Sequence, residues 1–143
     1  MIQAVLDTGV LIAAVLSAKG APAELLRLWL DGVFEIVVSE KLLDELDRVL
    51  HRSKFRPYLS IREVELYLAL LGRWAERAAD GPTELSYTAD PNDDYLVALA
   101  VTAEADFLVS GDKHLLEVEN SAVPALTPRQ ALRLLKELMN RRS

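Results

Sequence analysis

The chain's 143 residues predict an α/β fold of three layers, α/β/α, with helices on both faces of a central, mainly parallel sheet. Short apolar runs such as VVS and FLVS show little polar alternation, the pattern of strands buried on both faces. These runs alternate with segments of helical period, the arrangement in which crossover helices cover a parallel sheet. A hydrophobic content of 51% over this length is expected to bury one sizeable core, so residues 1–143 are read as a single domain.

The first strand is residues 2–6, ending at Asp7 and followed by the helical TGVLIAAVL. Ala21-Pro22 opens the next helix, AELLRLWL, with proline in the first turn, where its missing N–H costs nothing. A second strand spans 34–38. The helix from 39 to about 52 puts Leu42, Leu43, Leu46, Val49 and Leu50 on one stripe at about 100° per residue. Ser60-Ile61-Arg62-Glu63 has the form of a capping box. Behind it, Ile61, Val64, Leu68, Leu71 and Ala75 share a face that Leu66, Tyr67, Leu70 and Trp74 widen beyond what packing on one sheet requires. Residues 79–83 read as a connection and 85–87 as a weak strand. Asp90-Pro91-Asn92-Asp93 opens a helix ending near Ala105, strands follow at 106–109 and 123–126, and Thr127-Pro128-Arg129-Gln130 caps a last helix.

Composition narrows the chemistry. Without cysteine there are no disulfides, thiolate metal sites or thiol nucleophiles, which suits a reducing cytoplasm. Only His51 and His114 are present, which argues against a histidine zinc site and leaves a hard, oxygen-bound cation such as Mg²⁺ or Mn²⁺. No run approaches the roughly 18 apolar residues of a membrane span, and the N-terminus enters a strand without a basic leader, so a soluble, unprocessed, cytoplasmic protein is expected. A net charge of −6 argues against broad non-specific nucleic-acid binding, though not against an enzyme with its acids gathered in one site.

Several acids stand where strands hand over to helices. Asp7 closes the first strand, the edge where parallel sheets bind ligands, yet an aspartate before a helix also serves as an N-cap. Asp112 repeats the arrangement after FLVSG. Two caps need no neighbour, whereas two ligands do, and the coincidence weakens the capping account. On the third helical segment Asp44 points to solvent while Glu45 and Asp47 border the stripe on opposite sides, so the wheel nominates both without choosing. Asp93 shares a face with Leu96, Val97 and Ala100, and Asp94 lies to the side as an outer partner. Gathered together, such carboxylates cannot all stay ionised without a cation.

In order and spacing, LDTGVLI, the helical acid of SEKLLDEL, DPNDDYLVALAV and VSGDKHLL resemble the PIN domain, the metal-dependent ribonuclease fold of VapC-type toxins and several RNA-processing nucleases. The match runs from Val5 to about Leu116, and DPNDDYL followed by ADFLVSGDKHLL is similar to the toxin components of bacterial and archaeal toxin–antitoxin pairs. The resemblance implies that Asp7, Glu45, Asp93 and Asp112 are the catalytic acids and hold one or two Mg²⁺ or Mn²⁺ ions, with Ser110 in support. It selects Glu45 over Asp47, and it implies RNA, single-stranded or structured, as substrate and a cognate antitoxin as partner, while a homodimer is expected from the apolar width of residues 59–75. The wide apolar face of the fourth helical segment suits either partner. Two departures stand out: Gly9 replaces the asparagine that often follows Asp-Thr, and Asp94 stands where an asparagine is common, which adds a charge and leaves the choice between Asp93 and Asp94 open. A non-catalytic PIN-like module binding RNA or protein is the rival reading. A receiver domain would carry an acidic pair after the first strand, and an aspartyl phosphotransferase would carry a second acid where Gly9 stands. Arg48, His51, Arg52, Lys54 and Arg56, just beyond Glu45, are candidates to hold phosphates.

Overall fold

The computed structural model describes residues 1–82, 94–117 and 122–142. Strands β1 (Gln3–Leu6), β2 (Glu35–Val38), β3 (Glu76–Arg77), β4 (Phe107–Val109) and β5 (Ala125–Leu126) form one sheet in the order β3-β2-β1-β4-β5. Every pairing is parallel: Val5 lies between Val37 and Leu108, and Leu108 in turn faces Ala125. The helices are α1 (Thr8–Leu16), α2 (Ala21–Leu30), α3 (Glu40–Leu50), α4 (Ile61–Trp74), α5 (Asp94–Thr102), the single turn α6 (Lys113–Leu116) and α7 (Pro128–Arg142). The architecture is the expected three-layer α/β/α fold.

The three central strands are buried almost end to end, which is why they read as unbroken apolar runs. Crossovers from β1 build outward through β2 to β3, and the chain then returns to the other side of β1 with β4 and β5. The order therefore reverses between β1 and β4, and a crevice opens outside the carboxyl ends of those two strands. Asp7 and Ser110 are the residues that immediately follow them.

Local chemistry fixes the helix ends. Ser60 accepts from the Glu63 N–H while the Glu63 carboxylate accepts from the Ser60 N–H, each at 3.0 Å, completing the capping box. Thr127 and Gln130 do the same for α7 at 3.1 and 2.9 Å. Ser39 caps α3 by accepting from the Leu42 N–H, so that helix begins at Glu40 and its stripe buries Leu42, Leu46 and Leu50. The expected strand at 85–87 and the helix opening at 90–93 lie outside the described residues. The strand found instead, β3, directly follows α4; both its residues are charged and exposed, so it carries no apolar alternation to read. Among the described residues no single helix is long and apolar enough to cross a membrane.

Candidate active site

Asp7 is buried at the end of β1, where its N–H donates to the Val109 carbonyl across the strand pair at 3.0 Å. Both carboxylate oxygens are engaged. One accepts from the Val10 N–H at 2.7 Å, which makes Asp7 the N-cap of α1, and the other accepts from the Ser110 hydroxyl. The cap uses one oxygen of Asp7, and the other is turned to Ser110 at the end of the neighbouring strand.

Ser110 is fully buried and links the two strand ends. Its Oγ donates to Asp7 and accepts from the Asp112 N–H at 2.8 Å. Asp112 in turn caps α6 by accepting from the His114 N–H at 2.8 Å, and its side chain stays half-buried. Residues 110–112 are therefore held against Asp7 by a chain of hydrogen bonds rather than by an extended strand.

Glu45 reaches the same region from α3. It is half-buried and accepts a hydrogen bond from the Tyr95 hydroxyl on α5. Asp47, on the other border of the stripe, is exposed and pairs with His51 at 2.8 Å, so of the two border acids it is Glu45 that lies near Asp7. Burial pushes the Asp7 carboxyl above its ordinary range; hydrogen bonds from Ser110 and Val10 oppose the rise, and the negative charges of Asp112 and Glu45 add to it. Those last two effects show the three acids close enough to feel one another. Among the described residues, however, no three of them already form a cage able to hold a metal ion.

Asp93 lies outside the described residues. Asp94, next to it, is buried at the first turn of α5, as are Tyr95, Leu96, Val97, Ala98, Leu99 and Ala100. The reading of Asp93 as the inward acid therefore lies outside the described residues, while Asp94, read as lateral, is itself buried. Tyr95 was not singled out by sequence reasoning; an aromatic hydroxyl inside an otherwise apolar helix was the available signal. Burial, and then the Glu45 carboxylate, raise its pKa far above the usual phenol value, so it keeps its proton and donates it to Glu45. Lys41 lies over its ring at 4.5 Å from the centroid.

A pocket of about 580 Å³ opens on this edge, lined by Asp7, Gly9, Gly111 and Asp112 with Leu96, Ala13, Pro22 and Pro128 as its apolar wall. A β-carbon at Gly9 would meet Asp7 Oδ1 at 3.5 Å, an ordinary contact, so the missing side chain leaves open space in the pocket. The basic segment beyond Glu45 is largely occupied elsewhere. Arg56 turns inward to the Leu50 carbonyl, His51 is held by Asp47, and Lys54 lies over the Phe55 ring at 5.1 Å.

Comparison with known proteins gives concordant results. A family model described as PIN domain matches residues 3–114. Among solved structures, VapBC2 from Rickettsia felis, bound to a DNA fragment from its promoter, is similar with a TM-score of 0.63 at 16% identity, covering 88% of this chain and 98% of that one. PAE2754 from Pyrobaculum aerophilum is similar with a TM-score of 0.63 at 14% identity, covering 95% and 90%. No curated protein matches the chain.

Proposed function

The chain belongs to the PIN domain family, and from that premise we propose that it is a metal-dependent ribonuclease hydrolysing RNA phosphodiester bonds, the toxin of a VapC-type toxin–antitoxin pair. The observation that supports this most is the juxtaposition of Asp7 and Asp112, tied through Ser110 at the reversal point of the sheet and facing Glu45 beside an open pocket. The residues suit a cation. A buried carboxylate made harder to ionise by two like charges gains from a positive ion, and every donor is a hard oxygen, matching Mg²⁺ or Mn²⁺.

In this reading Asp7 and Asp112 are the main ligands, with Glu45 and Asp93 completing the set or orienting water. The chemistry that a divalent ion held there would supply is Lewis-acid activation of water and neutralisation of charge on the phosphoryl oxygens. The protein's own contribution is positional. Ser110 fixes Asp7 and residue 112 relative to each other, Tyr95 holds Glu45, and the apolar wall from Ala13, Pro22 and Leu96 limits water around a bound nucleotide. An antitoxin or a second copy of the chain is proposed to cover the exposed Ile61, Leu66 and Trp74 of α4.

The alternative, a non-catalytic module that binds RNA or protein, draws on the absence of a ready-made three-acid cage among the described residues and on the open space at Gly9. Titration of Mg²⁺ or Mn²⁺ against a defined single-stranded RNA separates the two. Cleavage that EDTA and Asp7→Asn both abolish supports the enzyme; tight binding without metal-dependent cutting supports the module.

A further inference from the structure

Helix α7 carries five of the chain's 16 basic residues and one of its 22 acids, in a protein whose net charge is −6. Arg129, Arg133 and Lys136 follow one another at spacings of four and three, which places them on one stripe at steps of about 5–6 Å. All three are exposed and line a shallow depression of about 280 Å³ together with Leu132, Glu137 and Asn140. Arg129 and Arg133 make no ion pair or hydrogen bond among the described residues. Lys136 meets Glu24 at 3.1 Å, but both ends of that pair are solvent-exposed and contribute little that a phosphate could not replace.

Arg129 is unusual for its position. It stands in the first turn of α7, where the positive end of the helix disfavours a cation and where α7 has no acidic residue to offset it. Helix capping therefore does not account for it. Its neighbour Pro128 lines the acidic pocket, so the basic stripe begins at the pocket's rim and runs about 10 Å along the helix to Lys136.

We propose that an RNA strand seated in the acidic pocket leaves it along α7, with successive phosphates held by Arg129, Arg133 and Lys136. The proposal rests on the ribonuclease reading of the pocket for the identity of the strand. Its logic is a division of labour by charge: acids at the scissile phosphate need a cation, while the flanking phosphates meet arginines directly.

The test measures binding of the full chain to a 20-nucleotide single-stranded RNA by fluorescence anisotropy, without divalent ions, across a salt series. Arg129→Gln with Arg133→Gln is expected to weaken binding roughly tenfold and to lower the slope of log affinity against log salt by about 1.4, or 0.7 for each lost phosphate contact. Arg129→Lys with Arg133→Lys is expected to keep most of the affinity. The charge-matched control Arg62→Gln with Arg73→Gln, on α4, is expected to bind like wild type, and thermal melting verifies folding of each variant. A double glutamine variant that binds like wild type overturns the proposal. So does a control that weakens equally, a lysine variant that fails to retain binding, or competition by polyglutamate as effective as by RNA of equal charge. Because no divalent cation is present, these readings stand apart from the cleavage assay, and failure of one is distinguishable from failure of the other.

Discussion

Ser110 has a single proton to give and gives it to Asp7, while its lone pair receives the Asp112 N–H. Ser110→Ala removes both bonds inside a fully buried site and strands an amide. It is expected to cost about 1–3 kcal/mol, read as a lower urea midpoint, and to reduce cation affinity or cleavage roughly 10–100-fold. Asp7→Asn acts in the opposite sense on stability. The amide keeps an oxygen for the Val10 N–H and offers its NH₂ to Ser110, so the cap survives while the burdened charge disappears. In the wild type the folded-state pKa of Asp7 lies above 3.8, so the native state holds its proton more tightly than the unfolded chain. Stability in the absence of a cation therefore falls as pH rises from 3.8 through the raised value, and the mutant does not share this loss. Melting curves in EDTA are expected to coincide near the acid limit, with Asp7→Asn melting higher at neutral pH, while cleavage drops to background. A neutral-pH Tm below wild type would overturn this assignment of cost.

At the scale of elements, what was legible depended on how a segment meets solvent. The serine and threonine boxes at Ser60 and Thr127 are local chemistry, and both form as their sequences imply. The stripe of α3 is one-sided, so Glu45 and Asp47 could be placed on its borders, although only tertiary packing separates them. α5 offers no such contrast, and Tyr95 went unnoticed for that reason. β3 escaped because two exposed charged residues carry no period; its place comes from pairing with β2. Gly81 was likewise read only as part of a connection, yet a β-carbon there would stand 2.6 Å from the Ala98 carbonyl and 2.4 Å from Thr102 Oγ1. That glycine lets the backbone at position 81 lie close against α5. Gly81→Ala is expected to cost about 1–3 kcal/mol, as overpacking does, whereas Gly9→Ala, in the open first turn of α1, is expected to add roughly 0.5–1 kcal/mol. Denaturant midpoints of the two variants should move in opposite directions, and movement in the same direction would contradict the packing described for one of them.

For the molecule as a whole, a cation shared by acids from β1, α3 and the segment after β4 would tie together parts of the chain far apart in sequence. Manganese at a hundred times its dissociation constant should add about 2.7 kcal/mol, which for this length raises Tm by roughly 5–11 °C at about 2–4 °C per kcal/mol. Differential scanning fluorimetry with Mn²⁺ and then EDTA reads this directly, and Asp7→Asn should abolish the shift; an equal shift in both proteins would place the ion elsewhere. The sheet itself bears on how partners are met. Among the described residues its two outer strands, β3 and β5, are two residues long, and β3 presents Glu76 and Arg77 to water. Such margins give an incoming polypeptide almost no ladder to extend, which guards against fibre-like stacking and makes recognition by added strands unfavourable. A partner that meets these two margins is therefore expected to grip side chains on the helices instead of borrowing this backbone.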